Sequence, residues 1–246
     1  MSDKSTDVIE VEPLKYGVST IRIIGETPLI MHSMGSKAKS LLAHKSRRKS
    51  GVRNLRYEYS DCFYRYEGEE AAFAMPAMAF KASMVAVARY IQGVTMVSVR
   101  QLVHVMGHLI PIYGIPKAFV SIVRLQDVKR TPDVRIRPIF PRWCAEFTVR
   151  HQLPFMTANS VAAMVVNAGL VTGVGDFRPE RGAGTYGTWR VVSTDDDELE
   201  FEAIKAEGGR DAQLEAEKQM IPYDENSADM LKYWDELFKE EGNDHS

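Results

Sequence analysis

The chain has 246 residues, of which 45% are hydrophobic and 26% charged, so it is long enough for one generous domain with its own core and too polar for a membrane bundle. No run of about 18 apolar residues occurs, and the acidic stretch Met1–Glu12 has no apolar centre, so neither a spanning helix nor a secretory leader is expected. Cys62 and Cys144 stand far apart without a CxxC or Cys/His cluster, which argues against a disulfide framework or zinc and for a reducing, cytoplasmic setting.

In chain order, residues 1–15 read as a polar lead-in. Ser19–Gly25 alternates and is β-branched, which predicts a strand, continued by Thr27-Pro-Leu-Ile-Met-His32 with a break or edge at Pro28. Residues 33–75 read as a long insertion. Within it Ser36–Ser50 suits a short basic helix ended by Gly51, and Leu55–Tyr66 alternates aromatic residues like an arm of a hairpin. Pro76 opens a helix over Ala77–Ile91, and Val103–Tyr113 reads as a strand. Gly114–Pro132 reads as a second connecting insertion, taken as 113–133. Val134–Ile139 and Ala145–His151 form the next strand region. Thr157 caps a helix over Ala158–Leu170, and Trp189–Val192 closes as a strand. Beyond it, Ser193–Gly209 reads as an acidic linker, Asp211–Met220 as a short charged helix, and Ser227–Glu240 as an amphipathic helix. The stripe Met230, Leu231, Trp234, Leu237 and Phe238 of that last helix docks either on its own domain or on a protein partner.

These elements predict an α+β chain with a β-α-β-β-α-β core in ferredoxin-like, RRM-like order over residues 1–192, and an acidic helical tail over 193–246. Both helices would lie on one face of an antiparallel sheet, leaving the other face free for binding. Charge follows the same division. Residues 193–246 hold 18 acids and 5 bases, a net of −13 against +11 for residues 1–192, and residues 35–65 alone carry +7. A basic body with an acidic tail fits a nucleic-acid binder whose tail tempers non-specific contact, or else a solubilising tail.

The densest chemistry lies in Gly173-Val-Gly-Asp-Phe-Arg-Pro-Glu-Arg-Gly-Ala-Gly-Thr-Tyr-Gly187. Five glycines there (Gly173, Gly175, Gly182, Gly184 and Gly187) sit with Arg178, Arg181 and Tyr186 at a helix–strand junction. Glycines let backbone amides turn inward onto an anion and arginines supply fixed charge, so the loop reads as a phosphate contact; a plain glycine-rich turn is the other reading. A second set, Lys37, Lys39, Lys45, Arg47, Arg48, Lys49, Arg53 and Arg56, forms a candidate phosphate track, with Tyr57, Tyr59, Tyr64 and Tyr66 downstream as stacking residues or hairpin packing. No dinucleotide fingerprint, Walker motif or catalytic triad occurs, so no cofactor and no metal is expected. His104 and His108 on one strand would lie about 13 Å apart, too far to share a metal. His32 is the lone candidate for acid catalysis, with no partner fixed by the sequence.

The glycine loop between the second helix and the last strand, the ferredoxin-like order, the basic insertion and Thr27–His32 together resemble the RAMP superfamily, and in particular the guide-RNA-binding backbone subunits of CRISPR effector complexes. Gly173-Val-Gly175, Arg178 and Gly182–Gly187 take the place of that family's glycine loop. The resemblance implies a non-enzymatic protein that binds single-stranded RNA or DNA, RNA favoured. It would assemble as a homo-oligomer along the strand into a filament or ribonucleoprotein, with residues 33–75 closing around the nucleic acid and a phage or mobile element as its source. A single-strand DNA annealing or protecting protein of recombination stands as one alternative. A metal-independent endoribonuclease using His32 stands as another.

Overall fold

The computed structural model describes residues 13–33, 54–124, 132–181 and 184–243. Its elements are β1 (Tyr16–Gly25), β2 (Leu29–Ile30), α1 (Leu55–Asp61), β3 (Ala74–Pro76), α2 (Ala77–Val87), α3 (Met96–Leu102), β4 (Val103–Val105), β5 (Leu109–Pro111), β6 (Lys117–Arg124), β7 (Pro132–Phe140), β8 (Cys144–Gln152), α4 (Ala158–Val171), β9 (Trp189–Val191), α5 (Asp195–Glu207), α6 (Arg210–Gln219) and α7 (Glu225–Asn243). The fold is α+β with antiparallel sheets. A four-stranded sheet runs β4-β8-β1-β9, a three-stranded one runs β2-β7-β6, and β3 pairs with β5.

Strand alternation decides what each face of the large sheet does. Ile21 and Ile23 of β1, with Ala145, Phe147 and Val149 of β8, enter the main core beneath α2 and α4. There Phe80 of α2 stacks on Phe147 at 4.9 Å and meets Trp189 edge-on at 5.9 Å. The residues between them, Tyr16, Val18, Thr20, Arg22 and Ile24, with Glu146, Thr148 and Arg150, fall on the opposite face. The two helices are tied by Ser83 and Thr172, whose buried hydroxyls bond each other and the carbonyl of Ala168.

Three segments depart from the sequence reading. Leu55–Asp61 is a helix rather than a hairpin arm. Asn54 caps it through Tyr57 N, and Leu55 and Tyr59, four apart, are its buried residues, so the i/i+4 spacing outweighs the alternating tyrosines. Residues 117–124, expected within a connecting insertion, form β6, paired along its whole length with β7. The acidic segment expected as a linker is helix α5. Thr194 and Asp197 form a reciprocal capping box, its first-turn acids suit a helix N-terminus, and Phe201 and Ile204 are buried. The expected strand over 103–113 is β4 and β5, separated by a turn at Gly107 with φ +83°. Helix α3, which begins at a Thr95/Ser98 capping box, carries no expectation from the sequence.

The tail helices are part of the body. Phe201 and Ile204 close a second core with Ile24, Tyr113 and Cys144. Gln213 of α6 is fully buried; its carbonyl accepts from Ala72 N and Phe73 N, and its amide donates to the carbonyls of Ile112 and Gly114. Helix α7 docks on its own chain: Leu231 and Trp234 enter the main core, and Ser227 Oγ accepts from Val120 N of β6.

Candidate nucleic-acid interface

The glycine loop runs from the end of α4 to β9 and folds over β2. Val174 N donates to Gly187 O, Gly187 N to Pro28 O, Asp176 N to Ile30 O and Tyr186 N to Phe177 O, at 2.8–3.1 Å. Gly175, at φ +80°, passes so near β2 that a Cβ would stand 2.5 Å from Ile30 O, and one on Gly187, at φ +72°, would stand 1.8 Å from Val174 O. These two glycines therefore permit close backbone crossing, and the four amides named are spent inside the fold rather than turned toward an anion. Phe177 holds φ +54°, a left-handed conformation rare for a bulky residue. Arg178 braces the loop, donating to Gly175 O at 2.9 Å and pairing with Glu180 at 3.0 Å. Arg181 lies exposed, and Gly182 lies outside the described residues.

Asp176 is the electrostatic centre of the site. His32 Nδ1 stands 3.1 Å and an Arg137 guanidinium nitrogen 2.9 Å from its carboxylate. Burial pushes its pKa up, but the hydrogen bond from His32 and the charges of Arg137 and Arg178 outweigh that and hold it below the ordinary carboxylate value. The structure thus gives His32 the acidic partner that spacing in the sequence did not reveal, from a position well over a hundred residues away.

Beside this cluster the β6–β7 ribbon presents one row of side chains. Phe119 pairs with Arg137 and Ser121 with Arg135, so all four share a face. The Arg137 guanidinium lies 5.2 Å from the centre of the Phe177 ring. Phe177 is followed by Tyr186 at 6.4 Å, Phe119 at a further 6.3 Å and Tyr223 at a further 5.9 Å, a continuous row of four partly exposed rings. Of these, sequence reasoning singled out only Tyr186. Reading 117–124 and 134–139 as neighbouring strands would have put Phe119, Arg135 and Arg137 on one face.

Lys37, Lys39, Lys45, Arg47, Arg48, Lys49 and Arg53 lie outside the described residues. The chain leaves the described fold at Ser33, next to His32, and returns at Asn54; Ser33 N donates to Cys62 O at the end of α1. Arg56 reaches the carbonyl of Lys218 on α6 and borders a cavity of about 460 Å³ with Met220 and Leu231. The four tyrosines separate. Tyr57 is exposed, Tyr59 is buried edge-on against Phe63, Tyr64 donates to His32 O and Tyr66 donates to Glu70.

The sheet face expected to be open is half covered. Helix α5 lies across its β1–β9 end, where Arg22 meets Glu146, Glu198 and Glu202, and Arg190 meets Asp197 at 2.9 Å and Glu200 at 2.5 Å. His104 and His108, separated by the Gly107 turn, line a cavity of about 210 Å³ with Lys81. Among the described residues no group of three or more His, Cys, Asp or Glu is placed to hold a metal. Cys62 and Cys144 are both buried, and burial pushes their thiols up to about 12, which disfavours the reactive thiolate. No described helix is long and apolar enough to cross a membrane.

No protein-family model and no curated protein matches this chain. Among solved structures, it is similar to a chain in the cryo-EM structure of the Type III-B Cmr-beta bound to cognate target RNA, with 12% identity and a TM-score of 0.42. The similarity covers 73% of this chain and 60% of that one, so the present chain spans less than two thirds of its neighbour's length.

Proposed function

We propose that this protein binds single-stranded RNA along its backbone as a RAMP-type subunit, and that β1, α2, β4, β8, α4 and β9 are its ferredoxin-like core. The sheet order β4-β8-β1-β9, with α2 and α4 packed together beneath it, supports that topology. The observation that carries the function is convergence. The glycine loop, Arg137 and the Phe177–Tyr186–Phe119–Tyr223 row meet beside His32, next to where the basic segment 34–53 leaves the fold. Aromatic faces stack on bases whatever their sequence, while lysines and arginines neutralise phosphates and release counterions. In this reading RNA lies against the loop and ribbon, and successive subunits follow the strand.

The protein, expressed without added nuclease and purified at low salt, is expected to carry RNase-sensitive material. Arg181→Ala and Phe119→Ala, both at partly or fully exposed positions, should each weaken binding of an unstructured RNA while leaving the fold intact. DNase-sensitive material and equal affinity for DNA, with strand annealing, would replace this reading with the recombination one. A protein inert toward both nucleic acids at low salt would end it.

The contact between His32 and Asp176 gives a specific ground for a second reading, metal-independent RNA cleavage with His32 as general acid. Site-specific cleavage in EDTA, lost in His32→Ala, would establish it; intact RNA after prolonged incubation would remove it.

A further inference from the structure

We propose a second nucleic-acid contact on the uncovered half of the large sheet, a base-stacking platform made by Tyr16, Val18 and Arg150. This inference rests on the single-stranded RNA-binding reading above. The platform is a cross-strand row. Val18 of β1 lies opposite Arg150 of β8, so the two central strands set these side chains next to one another on the face away from α2 and α4. Tyr16 and Val18 are 61% and 58% exposed, high values for apolar residues on a central strand of a sheet. The Arg150 guanidinium lies 5.7 Å from the Tyr16 ring centre. Thr20 and Thr148 border the row with their hydroxyls 3.2 Å apart.

Charge identifies the occupant. On the other half of this face Arg22 and Arg190 are engaged by the carboxylates of α5 and by Glu146. Arg150 has no carboxylate partner among the described residues, and none of the residues in the row is acidic. A planar aromatic ring and a guanidinium without opposing acids suit a base with its phosphate, the pairing used on single-strand-binding sheets. An acidic helix of this same chain already lies on the neighbouring arginines, which indicates that the face selects anions. The platform is also held in place before any ligand arrives: Lys15 O accepts from both Leu153 N and the Gln152 side chain at 2.8 Å, which pins the start of β1 to the end of β8. Little ordering entropy is left to lose on binding. Helix α5 then limits the site, since the half it covers has no room for a strand.

The test uses the full-length protein and an unstructured RNA carrying 2-aminopurine, with affinity and fluorescence quenching read together at low salt. Tyr16→Ala is expected to weaken binding about 5- to 150-fold, the equivalent of ~1–3 kcal/mol for one stacked base, and to relieve part of the quenching. Tyr16→Phe keeps the ring and should bind like the wild type, and Arg150→Gln should weaken binding and flatten its salt dependence. Unchanged affinity and quenching in both Tyr16→Ala and Arg150→Gln, while Phe119→Ala weakens binding, would overturn the platform and leave the loop–ribbon site standing. Wild-type protein that fails to bind RNA would overturn both. A Tyr16→Ala protein with unchanged RNA affinity but an altered sedimentation coefficient would assign the row to a contact between copies instead.

Discussion

Gln213 offers the sharpest test of whether the acidic tail is structural. Its side chain is fully buried and makes four hydrogen bonds, all to backbone: Ala72 N at 2.8 Å, Phe73 N at 3.3 Å, Ile112 O at 2.7 Å and Gly114 O at 3.1 Å. Gln213→Leu keeps the volume and removes every partner. Each backbone group left buried and unpaired costs about 1–3 kcal/mol. Strand β3 and the start of the following segment will relax and recover some of these bonds, so the expected loss is about 3–5 kcal/mol rather than the full sum. For a protein of this size that is a fall in thermal midpoint of roughly 6–20 °C. Urea unfolding followed by the fluorescence of buried Trp143 and Trp189 would measure it. Gln213→Glu adds a pH signature. It keeps the acceptor but aims a carboxylate at two carbonyls, so burial and repulsion raise its folded pKa above the unfolded one. Its deficit should therefore be smallest at low pH, where the neutral acid can donate, and grow as pH rises through that raised value. A loss under about 1 kcal/mol for Gln213→Leu would mean that the tail is an appendage, and the reasoning that ties α6 to the core would fail.

Three further outcomes follow from the loop and its cluster. Asp176→Asn should lower stability at neutral pH. Because the folded pKa of Asp176 is depressed, the wild-type advantage should be complete above the ordinary carboxylate value and vanish as pH falls through the folded one, as urea midpoints across pH would show. Gly187→Ala forces a Cβ to within 1.8 Å of Val174 O at φ +72° and should cost more than about 1 kcal/mol, with loss of the ordered loop visible as faster amide exchange at Val174 and Gly187. Arg181→Ala should reduce the salt slope of RNA binding by about 0.7, the value for one phosphate contact on a single strand; an unchanged slope would take Arg181 out of the interface.

What the sequence made legible was mostly local. The β-branched alternation of residues 19–25, the capped helix from Thr157 and the strands around 134–151 are all present because nearest-neighbour pattern and core burial agree there. The tyrosine run failed as a guide because alternation in Tyr57 and Tyr59 coexists with helical spacing between Leu55 and Tyr59, and only burial of the latter pair decides between them. The run Asp195–Glu198 was misleading in a different way. Four acids look like a solvated linker, yet their charge is what a helix N-terminus stabilises, and Phe201 and Ile204 supply the anchor. The site was half legible. The glycines and arginines of the loop stand out in one stretch of chain, whereas the Asp176–His32–Arg137 cluster and the four-ring row join residues from the segment after β2, from β6 and β7, the loop and the α6–α7 connection. No spacing rule links such positions; sheet pairing brings them together.

The charge asymmetry of the chain takes on a different meaning once the tail is placed. Its acids are not simply held away from the body as a screen. Asp197, Glu198 and Glu200 engage Arg22 and Arg190 on the large sheet, and Glu217 binds Arg65, accepting from it at 2.7 and 2.5 Å as well as from Ser60. Burial raises the Glu217 pKa, but the bonds from Arg65 and Ser60 prevail and keep it ionised. These pairs neutralise Arg22, Arg65 and Arg190 within the fold. Along the loop–ribbon side, Asp176 is shared between His32 and Arg137, while Arg181 is exposed. Under the RNA-binding function proposed above, these carboxylates would close the covered half of the sheet to a polyanion and leave the loop–ribbon side to receive it.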